Sequence, residues 1–240
     1  MIRIRGVLKR FARRTVLQGL DADLRGGRVT GLVGPNGAGK TTLLKLLLGL
    51  STPEAGTIAI GTQLLDGPPG YRAAIGYMPQ IARFPAHLSG RDLLRTLIAL
   101  RRSHVVPDLQ LAEAFALDDA FDRPLGILSG GTRQKINAVL AFAFQPELLI
   151  LDEPTAGLDP VAARVLKDRV LADRAAGRTV LITSHVLPEL EEMADDVLFL
   201  ADGVARWQGG VHELKTTSRQ PTLERAIAAL LSDRAMLAVA

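Results

Sequence analysis

The sequence predicts an α/β protein whose strand-bearing core is interrupted by a helical insertion, and three observations predict it. Short strand-like runs alternate with turns through the first third and return near the end. A glycine-rich loop, GPNGAGKT (Gly34 to Thr41), stands between a β-branched run and an apolar helix. The middle, from about Phe84 to Pro146, changes to helical texture.

In chain order, RIRGVLK and VLQGLDADL show strand-like alternation, and GRVTGLVG is a short run that stops at Gly34. The helix after the glycine loop carries Leu43, Leu44, Leu46 and Leu47, a wide apolar face. TIAIG and AIGYMPQ return to strand. SGRDLLRTLIALRR and PDLQLAEAFAL are helical, with Ser89 placed to cap the first. A helix is expected from about Gly130 to Phe144. ELLILDEP then reads as a central strand buried on both faces. RTVLITSH is another such run, after a helix over VAARVLKDRVLADRAA that stops at Gly177. DDVLFLADGVARWQG reads as a hairpin turning at Asp202-Gly203, and the tail from Thr222 as an amphipathic helix.

Bulk properties narrow the function. At 240 residues and 48% hydrophobic, the chain can bury a full core. It has no cysteine, which excludes disulfides and thiolate metal sites, and its four histidines show no ligand spacing. No apolar run approaches the ~20 residues of a membrane span. The basic N-terminus lacks the apolar core of a signal peptide, so the chain is expected to stay where it is made. Net charge is a mild +4. Arginines gather at Arg10, Arg13 and Arg14 and at Arg91, Arg95, Arg101 and Arg102. These read either as solvated faces or as surfaces for anionic lipid or nucleic acid.

The chemistry concentrates at sheet edges. In the Gly34 to Thr41 loop, Gly34, Asn36, Gly37, Ala38 and Gly39 let successive backbone N–H groups turn inward around a phosphate chain, and the following helix adds its positive end. Lys40 then reaches the β- and γ-phosphates, the Thr41 hydroxyl serves Mg²⁺, and Thr42 donates to the α-phosphate. The bland alternative is a chance glycine turn opening a helix. Asp152 ends the LLIL run, where a carboxylate emerges at the carboxyl edge of a buried strand and holds Mg²⁺ through water. Glu153 points differently because strand side chains alternate, leaving it to orient or deprotonate an attacking water. His185, after TVLIT and Ser184, is placed to sense a γ-phosphate, against the ordinary reading of a surface histidine. LSGGT (Leu128 to Thr132) opens a long helix with a serine and two glycines, a second anion-binding pattern on a chain that already has one.

Taken together, these residues resemble the ATP-binding cassette (ABC) ATPases, over nearly the whole chain and in that family's order. Gly34 to Thr41 resembles the Walker A loop, Gln80 in YMPQ the Q-loop glutamine, and Leu128 to Thr132 the signature motif. Leu148 to Glu153 resembles Walker B with its catalytic glutamate, Ala156 to Pro160 the D-loop, and Ser184-His185 the switch histidine. Thr132 departs from the usual glutamine, and Phe11 stands where a base-stacking tyrosine is usual, unless Phe11 is a core residue.

The resemblance implies a cassette with an antiparallel β subdomain and a helical subdomain over 85–146, flanked by a catalytic core at 1–84 and 147–240. It implies ATP and Mg²⁺ as ligands, with Gln80 meeting the metal or the attacking water. Two copies would associate head to tail, so that Ser129, Gly130 and Gly131 of one face the nucleotide held by Lys40 of the other, with Asp159 across the interface. Ser129 as an ordinary helix cap is compatible with that role. A permease on a separate chain would meet the helical insertion near Ile81 to Leu94, placing the protein at the cytoplasmic face of the inner membrane, with no nucleic-acid partner. The stretches from Leu128 to Pro160 and Ser184 to Leu200 look most like ATPases of copper-processing systems that mature nitrous oxide reductase. The competing classes are a soluble ATPase of the superfamily and a regulatory nucleotide-binding module without turnover.

Overall fold

The computed structural model describes residues 1–66, 69–101 and 106–237; Arg102 of the second arginine cluster and the last three residues of the tail lie outside them. In chain order the elements are β1 (Ile2–Phe11), β2 (Arg14–Leu24), β3 (Val29–Val33), α1 (Lys40–Leu47), β4 (Ala55–Ile60), β5 (Gln63–Leu64), β6 (Ile75–Met78), α2 (Gly90–Arg101), α3 (Gln110–Ala114), α4 (Gly130–Phe142), β7 (Leu148–Asp152), α5 (Pro160–Ala175), β8 (Thr179–Thr183), α6 (Leu187–Met193), β9 (Asp196–Ala201), β10 (Val204–Gly210), α7 (Val211–Thr217) and α8 (Leu223–Leu237). They form two compact units, Met1–Pro69 with Leu181–Ala240, and Gly70–Val180. The architecture is mixed α/β with an antiparallel sheet and a group of helices between strands.

In the first unit an antiparallel sheet runs in the order β2-β1-β4-β5, with Ile2 opposite Leu24 on one side and Ile60 on the other. Alternation along β1 buries Ile2 and Ile4 and leaves Arg3 and Arg5 in water, as period-two patterning requires. β3 pairs in parallel with β9, which pairs antiparallel with β10. Every residue of β3 and β9 is buried, as in a sheet covered on both faces. The β9–β10 hairpin turns at Asp202 (φ 47) and Gly203 (φ 74), two left-handed residues in succession, as the Asp-Gly pair predicts. That turn reaches β2, where the Gln18 N–H donates to the Gly203 carbonyl at 2.9 Å.

In the second unit β6 and β7 pair in parallel, Ile75 opposite Leu148. Asp159 caps α5 by accepting from the Ala162 N–H at 2.9 Å, Pro160 opens the first turn, and Gly177 (φ 83) ends the run. Ser89 caps α2 as expected: its Oγ accepts from the Asp92 N–H at 3.1 Å, while Asp92 accepts from the Ser89 N–H at 3.0 Å. Asp108, Arg169, Asp173 and Arg178 form a nearly buried ionic cluster. It joins the entry to α3 with α5, and Arg169 also lies over the Phe142 ring. Burial alone would penalise these charges, and their mutual pairing offsets it.

The arginine clusters do not make uniform basic faces. Arg10 pairs with Glu54, Arg91 with Asp122, and Arg101 turns inward over the Phe144 ring while donating to the Ala73 and Ile75 carbonyls. Two other expectations shift. PDLQLAEAFAL yields only five helical residues, and α4 ends at Phe142.

Candidate functional site

The first unit carries the phosphate loop. α1 begins at Lys40 behind Gly39, which has φ 108 and offers no side-chain cap. A Cβ on Gly39 would lie 2.7 Å from Leu17 Cδ2 and 3.2 Å from the Val16 carbonyl oxygen, so only glycine fits. Gly34 is enclosed in the same way, since a Cβ there would run into the Leu200 carbonyl. Backbone therefore stands where side chains elsewhere would cap the helix. The Lys40 ammonium bends over the loop, donating to the Gly34 carbonyl at 2.6 Å and the Pro35 carbonyl at 3.1 Å. Asn36, Gly37 and Thr41 are exposed, Thr42 is half-buried, and Ala38 is buried beneath them, its carbonyl accepting from the Gly203 N–H at 3.2 Å. A cation, a helix N-terminus without a side-chain cap or an acid in its first turn, and two hydroxyls suit an anion with several oxygens.

Two further residues of this unit were expected at the nucleotide. Phe11 ends β1 with 48% of its surface exposed, so it is not a core residue, and Lys9 Nζ stands 5.2 Å from its ring centroid. Its strand partner Arg14 reaches the loop: Arg14 Nη2 lies 3.2 Å from where a Gly37 Cβ would be. His185 is exposed just after β8, while Ser184 is buried and its Oγ accepts from the Val186 N–H at 3.0 Å, fixing the turn that carries the imidazole.

The second unit holds the remaining motifs. Asp152 ends β7 half-buried. Burial first, and the Asp152 charge second, push the Tyr77 phenol above its ordinary value. Glu153 is 9% exposed and adopts φ 51, a left-handed conformation that costs a non-glycine residue about 1–3 kcal/mol and gathers at functional sites. The following turn is closed by the Ala156 N–H donating to the Glu153 carbonyl at 3.1 Å.

Ser129 caps α4, accepting from the Thr132 N–H at 3.1 Å, and its Oγ also lies 2.8 Å from Thr132 Oγ1. Thr132 thus adds a hydroxyl to the signature turn without disturbing the cap. Ser129 and Gly130 are exposed. Gly131 faces the D-loop so closely that a Cβ would lie 3.0 Å from the Gly157 carbonyl. One turn on, Lys135 Nζ sits 3.0 Å from Asp159 Oδ2. The Ala162 N–H and the Lys135 ammonium hold the Asp159 carboxyl below its usual range. Gln80 is exposed, and the Pro79 carbonyl just before it accepts from Asn137 Nδ2 at 2.9 Å. The signature helix is therefore bonded to both the D-loop and the root of the Q-loop.

Lys135 and Asn137 are not among the site residues expected from the sequence. For Lys135 a signal existed, because positions i and i+4 share a helix face and Gly131 already marked that face. Asn137 offered none, since a polar residue in a helix ordinarily marks the solvated side.

Among known proteins, residues 17–156 match the family profile described as ABC transporter, more than half of the chain. Nod factor export ATP-binding protein I of Ralstonia nicotianae is 33% identical over 225 residues, spanning 90% of this chain and 69% of that one. The lantibiotic transport ATP-binding protein SrtF of Streptococcus pyogenes is 32% identical over 209 residues, 85% of this chain and 88% of that one. A solved structure described as the ATP-binding subunit of an ABC transporter superposes with a TM-score of 0.89 at 28% identity, covering 96% of this chain and 99% of that chain. A dimeric ATP-binding cassette in a post-hydrolysis state with ADP and Pi shares the fold, with a TM-score of 0.78 at 19% identity over 88% of this chain and 98% of that chain. The chain belongs to the ABC transporter family, as one of its ATP-hydrolysing cassettes.

Proposed function

We propose that this cassette energises an exporter whose membrane spans lie on a separate chain, working as a head-to-tail pair with a second copy of itself. The observation that carries the pairing is the exposed N-terminus of α4, with Ser129 and Gly130 at its tip, on a chain that already owns a complete phosphate loop. A second anion-binding helix end has a use if it serves the partner's nucleotide, and a two-fold arrangement makes that service reciprocal. Export is supported by the relatives, whose names are those of Nod factor export and lantibiotic transport proteins. The narrower copper-processing reading rests on the likeness of the Leu128 to Pro160 and Ser184 to Leu200 stretches. In functional terms 1–84 and 147–240 form the catalytic core and 85–146 the helical subdomain that meets the permease, near Ile81 to Leu94.

In this reading Phe11 stacks on the base, the loop amides from Asn36 to Lys40 receive the β- and γ-phosphates, and Thr42 donates to the α-phosphate. Mg²⁺ would be held by the Thr41 hydroxyl, Asp152 and Gln80, neutralising phosphate charge. An all-oxygen set with one carboxylate suits a metal that keeps most of its waters. Glu153 accepts the proton of the attacking water as its oxygen bonds to the γ-phosphorus and the bond to the β,γ-bridging oxygen breaks. His185 senses the γ-phosphate, and Ser129 and Gly131 of the partner copy complete its cradle, with Asp159 beside them. ATP closes the pair because its γ-phosphate makes contacts only in the closed state, and hydrolysis removes them. The protein sits peripherally at the cytoplasmic face of the membrane. Among the described residues no helix is long and apolar enough to cross it, consistent with spans on another chain.

Co-expression with candidate multi-span permeases drawn from the neighbouring reading frames tests this. The two chains are expected to co-purify from membranes with ATP turnover. Co-purification with ribosomes or DNA instead would favour the soluble ATPase, and ATP binding without phosphate release would favour the regulatory module.

A further inference from the structure

Asn137 is 2% exposed in a stretch of α4 otherwise made of apolar residues, from Ile136 through Ala138, Val139 and Leu140 to Phe142. A buried amide without partners is costly, so its bonds show what it is for. Its Nδ2 donates to the Pro79 carbonyl at 2.9 Å and has a longer contact, 3.4 Å, with Gln134 Oε1. The orientation is unambiguous, since only the amide nitrogen can bond a carbonyl oxygen.

Pro79 has no N–H to anchor it, and it follows the last residue of β6, where the chain leaves the sheet. Its carbonyl is thus the handle by which the start of the Q-loop is held, one peptide away from Gln80. Asn137 and Pro79 also line one cavity of about 330 Å³, walled by Tyr77, Phe84, Leu97 and Arg101, so the bond is made at the edge of an open space and not in solid packing.

We infer that Asn137 is a positioning residue: its amide fixes Gln80 to the signature helix through the Pro79 carbonyl. The inference rests on the role proposed above for Gln80. Because Ser129 caps α4, the bond makes the glutamine of one nucleotide's site and the serine offered to the partner's site move with a single helix. Lys135, on the same helix, ties the D-loop to it as well.

A double-mutant cycle tests this in the full-length ATPase, with kcat and KM for MgATP measured for Asn137→Leu, Gln80→Ala and the pair, and thermal melts recorded for each. Asn137→Leu keeps the volume and removes the donor. It is expected to lower kcat about tenfold with KM for MgATP little changed, the size of one buried hydrogen bond. In the Gln80→Ala background the same change is expected to cost nothing further in kcat. Additive losses in the pair, or a loss that tracks the melting temperature, would overturn the inference, because a structural defect acts whether or not Gln80 is present. A wild-type rate in Gln80→Ala alone would instead overturn the role proposed for Gln80. Asn137→Ser keeps a donor on a shorter arm, and recovery of part of the lost kcat is expected. Rates no better than Asn137→Leu at equal stability would count against the bond.

Discussion

Lys135 Nζ and Asp159 Oδ2 lie 3.0 Å apart, joining the helix that begins at the signature serine to the loop that begins α5. The carboxylate serves two masters: Oδ1 caps α5 and Oδ2 takes the ammonium. Asp159→Asn keeps an oxygen for the cap and loses the ion pair, whereas Asp159→Ala loses both. Asp159→Ala is therefore expected to melt lower than Asp159→Asn, and both to turn over ATP more slowly than Lys135→Arg, which keeps the charge. The Asp159 carboxyl is held below its unfolded value, so its contribution is present above the ordinary carboxylate range. It is lost as pH falls through the lowered folded value. Melting temperatures of wild type and Asp159→Asn should accordingly converge in acid, which a pH series of thermal melts will show.

Gly131 lies close against the D-loop, with only 3.0 Å for a Cβ against the Gly157 carbonyl. Gly131→Ala must push the D-loop by some tenths of an ångström. Because displacements of this kind act on alignment and not on ground-state binding, turnover is expected to fall about 10- to 100-fold. Nucleotide binding by the single chain, measured with a fluorescent ATP analogue, should be unchanged.

Ser129 has a capping role that its proposed phosphate role does not replace. Ser129→Ala removes the acceptor for the Thr132 N–H and is expected to cost about 1 kcal/mol. For a domain of this size that lowers the melting temperature by roughly 2–4 °C. Ser129→Arg should leave ATP binding by the single chain intact and abolish turnover; loss of binding would mean that the serine serves its own chain's nucleotide.

Much of this arrangement was legible because local chemistry and fold agree. The GPNGAGKT spacing placed Gly39 where a Cβ would meet Leu17, and the Asp202-Gly203 pair marked a turn whose two residues are both left-handed. The uniform apolar runs of β7 and β8 announced buried strands. Helices α6 and α7 escaped notice. Each is seven residues, too short to show a periodic face, and each is helical because Leu190 and Met193, or Val211 and Leu214, are buried by neighbours. The link from Asp108 to Arg169 was equally invisible, since 61 residues separate the partners and nothing local marks the pair.

Arg169 compensates two carboxylates at once. Its side chain is 12% exposed and those of Asp108 and Asp173 are 11% and 5%. Burial pushes the Asp173 carboxyl upward despite Arg169 and Arg178, so the charge is tolerated only because the arginines are there. Arg169→Leu leaves Asp108 without its bonded arginine and Asp173 with Arg178 alone, and is expected to cost about 3–5 kcal/mol in urea unfolding at neutral pH. Lowering the pH, which protonates Asp108 once its arginine is gone, should recover part of that loss.

Glu153→Gln separates binding from chemistry. It keeps shape and the strained turn but cannot accept a proton, so an ATP-bound pair is expected to persist with little turnover, visible by light scattering. Full ATPase activity in this variant would remove Glu153 from the chemistry.

In the proposed pair, the signature helix completes a site on another copy of the chain. Specific ATPase activity measured against chain concentration at saturating MgATP tests it most directly. Specific activity is expected to rise with concentration until pairs predominate, while ATP binding per chain stays constant. Specific activity independent of concentration, in a chain shown to be monomeric during turnover, would contradict it.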